Sequence, residues 1–264
     1  MRPRALIITG DGLNCEIETS YAFRLAGAEP VKKHITEILS RETDIRDYEI
    51  LAFIGGFSNG DHLGAGTVQA VRFRNTIKES ILEFISNKKP IIGICNGFQT
   101  LIKIGILPGT EDNSFKRTCS LLMNDSAVFE DRWVYLLNER NSPCIWTKGI
   151  EKIFLPVRHG EGKFYTTKDI LEKIKENNQI VFKYTDEKGN ITEKYPYNPN
   201  GSIDSIAAIC DKSGLIFGLM PHPEAFLHGV NNPYWTINRA NGKDIPEYGE
   251  GLKIFKNAVE FCMA

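Results

Sequence analysis

Apolar residues in the first hundred positions fall into short unbroken runs, separated by stretches where they recur every three or four residues. The runs at residues 5–9, 50–54 and 90–94 read as strands, a further strand is expected near 30–34, and the spacing predicts helices over 16–26 and 67–86. Residues 98–103 again show helical spacing. This alternation predicts a parallel sheet with helices on both faces, whose functional loops gather at the carboxyl ends of the strands. The loop Gly55-Gly56-Phe57-Ser58-Asn59-Gly60-Asp61 and the bend at Cys95 both fall at such ends. The second half changes character. Strands are expected at 120–130, 133–138, 153–158, 179–183, 203–210 and 215–220, and helices at 167–177 and 252–262. Asp211-Lys212-Ser213-Gly214 is a turn signal that joins the last two strands as a hairpin. The sheet is therefore expected to be mixed. With no internal repeat and no linker, residues 1–264 read as a single domain, and the Asn-, Gly- and Pro-containing stretch 229–249 as an ordered surface excursion.

The most pointed local signal is Pro90-Ile91-Ile92-Gly93-Ile94-Cys95-Asn96-Gly97-Phe98-Gln99. A strand runs into a sharp turn and then a helix, with glycines two positions before and two after a cysteine. Small flanking residues let strand and helix approach closely, and such a turn holds a nucleophile exposed in a strained conformation. The start of a helix also favours thiolate over thiol. Cys95 is thus the candidate nucleophile. The other five cysteines, Cys15, Cys119, Cys144, Cys210 and Cys262, read as small buried apolar residues. Cys15 stands apart only in lying near Gly10-Asp11-Gly12.

A nucleophilic cysteine needs a base. His222 follows an apolar run and sits in Pro221-His222-Pro223-Glu224, where two prolines fix the backbone and Glu224 is placed to orient the ring. The result is the logic of a triad on cysteine. A negative oxygen formed in acyl transfer needs preorganised N–H donors. The loop Gly55-Gly56-Phe57 brings such backbone groups close, with Phe57 either part of it or simply core packing, and the Asn96 N–H at the helix start is the natural second donor. The loop lacks the G-x-x-x-x-G-K-[ST] and G-x-G-x-x-G patterns, which ranks a phosphate-cradling role low. His159 and Glu161, in Arg158-His159-Gly160-Glu161-Gly162, either line a polar pocket or form an ordinary turn. His34, His62 and His228 read as surface or loop residues.

Bulk composition narrows the setting. The chain has 264 residues, and Lys+Arg 32 against Asp+Glu 33 leaves a net charge of -1. No basic stripe indicates nucleic acid, and no apolar run approaches the roughly 20 residues of a membrane span. The cysteines show neither metal-ligand spacing nor a disulfide framework, which fits a reduced cytoplasmic setting. The sequons at Asn190 and Asn200 carry no meaning there.

The elbow around Cys95 together with Pro221-His222-Pro223-Glu224 resembles the class I, triad-type glutamine amidotransferases. The motifs Gly55–Asp61, His159-Gly160-Glu161-Gly162, Asn198-Pro199-Asn200-Gly201-Ser202 and Gly10-Asp11-Gly12-Leu13-Asn14-Cys15-Glu16 further resemble the glutaminase subunits of phosphoribosylformylglycinamidine synthase. The matches run from about residue 5 to about 228. The resemblance implies a three-layer α/β sandwich with a mixed, mostly parallel sheet. It implies that Cys95 attacks the side-chain amide of glutamine, that His222 shuttles the proton with Glu224 behind it, and that Gly56, Phe57 and Asn96 form the oxyanion hole. Gln99 and His159 would lie near the bound glutamine. Ammonia would pass to a large synthetase subunit converting formylglycinamide ribonucleotide to the amidine, with a small third protein bridging the two. ATP and Mg²⁺ would belong to that synthetase, leaving no cofactor and no metal on this chain. The family pattern is altered at Ile54, Asn59, Gly64, Phe98 and Ala225, none of which the implied chemistry requires. The alternatives are a triad glutaminase serving another synthetase, and a cysteine hydrolase of related fold.

Overall fold

The computed structural model describes residues 2–110 and 115–264. Its main sheet has nine strands. Five adjacent ones are parallel, in the order β2 (Glu29–His34), β1 (Arg4–Thr9), β3 (Ile50–Phe53), β4 (Ile91–Ile94) and β11 (Ile216–Leu219). The sheet continues through β10 (Ile206–Cys210), β9 (Ile180–Thr185), β6 (Glu130–Asn138) and β7 (Lys152–His159), each pairing antiparallel with its neighbour. Strands β3, β4, β10 and β11 are buried along their whole length, as their unbroken apolar runs require. A separate pair is formed by β5 (Cys119–Leu122) and β8 (Lys163–Thr166).

The chain leaves β1 through α1 (Glu16–Ala26) to reach β2, then returns to the other side of β1 to form β3. Parallel crossovers are right-handed, so this reversal puts α1 on one face and the helices after β3 on the other. Phe23 of α1 packs edge-on against Phe255 of α8 (Leu252–Met263), with ring centroids 5.0 Å apart. On the opposite face α3 (Thr67–Thr76) packs on α5 (Asn96–Ile104), where the Thr100 hydroxyl donates to Gln69 Oε1 at 3.1 Å. Every parallel strand ends at the same edge of the sheet. The loops after β1, β3, β4 and β11 meet there.

Several sequence expectations are corrected. Residues 67–86 form two helices, α3 and α4 (Lys78–Ser86), separated at Ile77, whose φ of -127° breaks the helix. The break turns Ile77, Ile81 and Phe84 into the core alongside Phe73. The expected strand at 120–130 ends at Leu122. Its polar continuation forms a turn closed by Ala127 N–H donating to Asn124 O, and β6 begins only at Glu130. Residues 203–205 form a 3-10 turn ahead of β10, and α2 (Ile35–Leu39), β8 and α7 (Trp235–Ala240) carry no clear signal. The turn at Asp211–Gly214 does join β10 and β11 as an antiparallel hairpin.

Glycine is required at the elbow for a packing reason. A Cβ on Gly97 would lie 1.9 Å from the Phe53 carbonyl oxygen, and one on Gly93 would lie 2.9 Å from Gly97 O. Gly97→Ala should therefore destabilise the fold by about 2 kcal/mol or more, read as a lower urea midpoint. An unchanged midpoint would mean that strand β3 and helix α5 can separate without cost.

Candidate active site

Cys95 joins β4 to α5 with φ 52° and ψ -105°, outside every region an L-residue favours. Strain of this kind costs about 1–3 kcal/mol and persists only where the surroundings enforce it. Here they do. Cys95 N–H donates to Leu219 O of β11 at 2.8 Å, and Gln99 N–H donates to Cys95 O at 3.0 Å. The side chain is 5% exposed, and the thiol donates to Arg158 O at 3.6 Å. Arg158 belongs to β7, the far strand of the sheet order, so the antiparallel half curls back over the site. The first-turn N–H groups of α5 have no partner inside their own helix, and Asn96 presents one beside the sulfur.

The base arrives on the neighbouring strand. Ile94 pairs with Leu219, so the chain leaves both strands at one level. His222 N–H donates to Pro156 O at 2.8 Å, and Pro223 opens a short 3-10 turn that carries Glu224. His222 Nδ1 lies 2.6 Å from Glu224 Oε1, with both side chains buried. The carboxylate thus accepts a hydrogen bond from Nδ1–H and leaves Nε2 as the basic nitrogen. That nitrogen has no hydrogen-bond partner among the described residues. Burial works against an imidazolium here. Glu224, then the thiols of Cys95 and Cys15, outweigh it and hold His222 well above the usual histidine range. The arrangement can therefore deprotonate the Cys95 thiol and store the proton.

Of the three residues expected to donate to an oxyanion, Gly56 lies in the loop after β3 and Asn96 at the start of α5. Phe57 is differently placed. Its N–H donates to Gly12 O at 2.7 Å, and its ring is half exposed against Phe129. The β1 loop and the β3 loop are stitched together here, since Asn14 N–H also donates to Gly55 O at 3.3 Å. In this conformation the Phe57 N–H is spent on structure.

Gln99 and His159 act as braces. Gln99 Nε2 donates to Glu161 O at 2.5 Å and its Oε1 accepts from Asn96 Nδ2 at 3.2 Å. The amide therefore ties α5 to the turn at residues 159–162. His159 donates from Nδ1 to Asn124 Oδ1 at 3.1 Å, while Nε2 accepts from Asn200 Nδ2 at 3.5 Å. Asn200 Nδ2 also donates to the Tyr184 hydroxyl at 3.0 Å, and Asn198 Oδ1 accepts from the Gly201 and Ser202 N–H groups. The two motifs at 159–162 and 198–202 thus interlock as one buried polar network under the site. Asn124 and Tyr184 belong to it. Each stands alone among unrelated neighbours in sequence, and nothing local marks either one.

Burial, and after it the charge of His222, push the His159 imidazole down to about 3. Unfolded, the same ring titrates near 6.5. Between those values the unfolded chain holds a proton that the folded chain refuses, so stability falls as pH falls through the window. Relative to His159→Gln, the protein should lose about 2 kcal/mol more stability between pH 7 and pH 5, measured by urea unfolding. Parallel curves for the two proteins would mean that His159 is not held neutral.

Cys15, at the start of α1, is the residue that sequence reading passed over. Its Sγ, a His222 ring nitrogen and a Glu224 carboxylate oxygen all lie within 4.8 Å of one another. These are the residues whose donors could hold a metal ion. Gly55 sits against the pair, since a Cβ there would lie 2.9 Å from His222 Cε1 and 3.0 Å from Cys15 Sγ. The signs in the sequence were its place beside Gly10-Asp11-Gly12 and a loop after β1 that ends at the same sheet edge as the elbow.

A family model for the CobB/CobQ-like glutamine amidotransferase domain matches residues 2–262. The phosphoribosylformylglycinamidine synthase subunit PurQ of Methanococcus maripaludis strain S2 is 44% identical over 267 residues, covering 98% of this chain and 97% of that one. The subunit of the same name from Dehalococcoides mccartyi is 46% identical over 259 residues, with 98% and 97% covered. Among solved structures, a chain of PurLQS from Thermotoga maritima is 30% identical, with a TM-score of 0.73 and 99% of each chain covered. The Trypanosoma brucei CTPS glutaminase domain with bound acivicin, 14% identical at a TM-score of 0.53 over 94% of this chain and 98% of that one, shares the fold. With this α/β fold and this extent of identity, the chain belongs to the PurQ family, the glutamine amidotransferase subunits of phosphoribosylformylglycinamidine synthase.

Proposed function

We propose that Cys95, His222 and Glu224 are a catalytic triad that hydrolyses glutamine and supplies ammonia to a separate synthetase. The observation that carries this reading is the strained, strand-anchored Cys95 beside an imidazole whose Nδ1 is held by Glu224 at 2.6 Å. His222 Nε2 takes the thiol proton. The sulfur attacks the glutamine side-chain carbonyl carbon, and the new oxyanion accepts hydrogen bonds from the Asn96 and Gly56 N–H groups. Phe57 joins them only when its N–H leaves Gly12 O. Collapse breaks the C–N bond. His222 returns the proton to nitrogen, and ammonia departs from a glutamyl thioester. Water then attacks the thioester, His222 accepts its proton and passes it to the sulfur, and glutamate leaves. Gln99 and His159 position the walls of the glutamine site.

The partners follow from the relatives. The Thermotoga structure is of PurLQS, which supports a large synthetase subunit and a small third subunit here as well. ATP and Mg²⁺ act on the synthetase, where formylglycinamide ribonucleotide becomes the amidine, and this chain needs no cofactor or metal for its own half-reaction. Among the described residues no helix is long and apolar enough to cross a membrane, and a cytoplasmic setting fits the free thiols. Cys95 is nearly covered in the lone chain and Phe57 N–H is engaged, so the partner would open and complete the site.

Glutamate release should rise on the order of 10- to 100-fold when the large and small subunits, formylglycinamide ribonucleotide and ATP are added. Amidine should form in step with it. Equal glutaminase rates with and without the partner would keep the hydrolysis and reassign the pathway to another synthetase.

A further inference from the structure

We propose that Cys15, His222 and Glu224 form a binding site for a thiophilic divalent cation, zinc by its donor set, and that occupation arrests the glutaminase. The arrest rests on the triad reading above; the binding does not. One sulfur, one ring nitrogen and one carboxylate oxygen converge within 4.8 Å. Tetrahedral bonds of roughly 2.0–2.3 Å bring such donors to roughly 3–4 Å apart, so small side-chain rotations close the site. Sulfur with imidazole selects zinc over magnesium or calcium, which prefer oxygen.

A second observation points to a ligand independently. Glu224 Oε2 is buried and has no hydrogen-bond partner among the described residues, on a side chain only 3% exposed. Buried polar atoms are almost always satisfied, and a cation held between Glu224 and the Nδ1 edge of His222 would satisfy this oxygen. Cys15 is partly exposed, with its thiol beside both Asn14 Oδ1 at 3.5 Å and the His222 ring, so its sulfur gives the site an opening toward solvent. Three protein donors leave a fourth position, for water. Binding replaces the Cys15 S–H by a sulfur–metal bond and releases one proton to solvent. If His222 is protonated, a second proton leaves. With Nδ1 on the metal the ring carries its proton on Nε2, so His222 cannot take the proton of Cys95. Excess zinc, or loss of a chelator, would then silence ammonia production without any change in the synthetase.

The test uses the full chain carrying Cys95→Ala, which removes the reactive thiol. Zinc is titrated against a chromophoric chelator, and Co²⁺ is added separately to read sulfur-to-cobalt charge transfer in the near ultraviolet. One equivalent should bind with the charge-transfer band present, and adding Cys15→Ala should weaken binding at least about tenfold and remove the band. In protein with Cys95 intact, Cys15→Ala should raise the zinc needed for half-inhibition by a similar factor, relative to that variant's own zinc-free rate. Binding that disappears with Cys95→Ala, or that ignores Cys15→Ala, would overturn the proposal, because the metal would then sit on the catalytic thiol or elsewhere. Zinc bound through Cys15 by a chain with no glutaminase activity would sustain the site and remove the triad reading instead.

Discussion

Cys95→Ala should lower glutamate release from glutamine by at least about 10⁴-fold, with the fold retained. Nothing else among the described residues offers a sulfur on a bend with φ 52° whose backbone is anchored on both sides, by Leu219 O and by Gln99 N–H. Alanine keeps the Cβ and therefore the packing, so circular dichroism and the unfolding midpoint should change little while turnover vanishes. A glutamine-like electrophile should label this residue alone. Cys15 is the informative control, since it is the more exposed of the two thiols near His222. Label that persists in Cys15→Ala and is lost in Cys95→Ala identifies the nucleophile; the reverse pattern would transfer the role to Cys15 and undo the mechanism.

The second large effect belongs to His222. His222→Ala should reduce kcat about 10²- to 10⁴-fold, the usual contribution of a positioned acid–base group. It also strands the Glu224 carboxylate, which is 3% exposed and loses its 2.6 Å partner. Removing one member of a buried pair costs about 3–5 kcal/mol. A lower melting temperature should therefore accompany the kinetic loss. Glu224→Gln in the same background separates the two effects, because a neutral amide restores much of the stability and none of the rate. Near-normal turnover in His222→Ala would take the imidazole out of the mechanism.

The parts of this protein written locally were readable. Cys95 was legible because a strand, a bend and a helix are packed into ten positions, and the glycines at 93 and 97 are needed on steric grounds that hold wherever this turn occurs. His222 and Glu224 were legible because two prolines advertise a fixed backbone. The alternation of strands and helices before residue 110, and the hairpin at Asp211–Gly214, came through for the same reason. What was hidden depends on distant neighbours. Cys15 reads as one small apolar residue among six cysteines until the sheet order puts the loop after β1 against β11's exit. Gln99 and His159 have the residue types of substrate contacts, yet both spend their polar atoms on the carbonyls and amides around them. The Phe57 N–H is claimed by Gly12 O, a choice made by two loops more than forty positions apart. The helix over 67–86 divides at Ile77 because core packing overrides a continuous periodic pattern.

The position of β11 has a consequence for how the protein is made. This strand lies between β4 and β10, so the middle of the sheet is completed by a segment that leaves the ribosome long after the nucleophile. Through most of synthesis the growing polypeptide holds the cysteine without its imidazole, and the backbone of Cys95 lacks the Leu219 carbonyl that fixes it. On the proposed triad, a half-made copy therefore has no glutaminase activity. Glutamine would meet a working thiol only after the last parallel strand has slotted home, and hydrolysis would itself report that the sheet has closed.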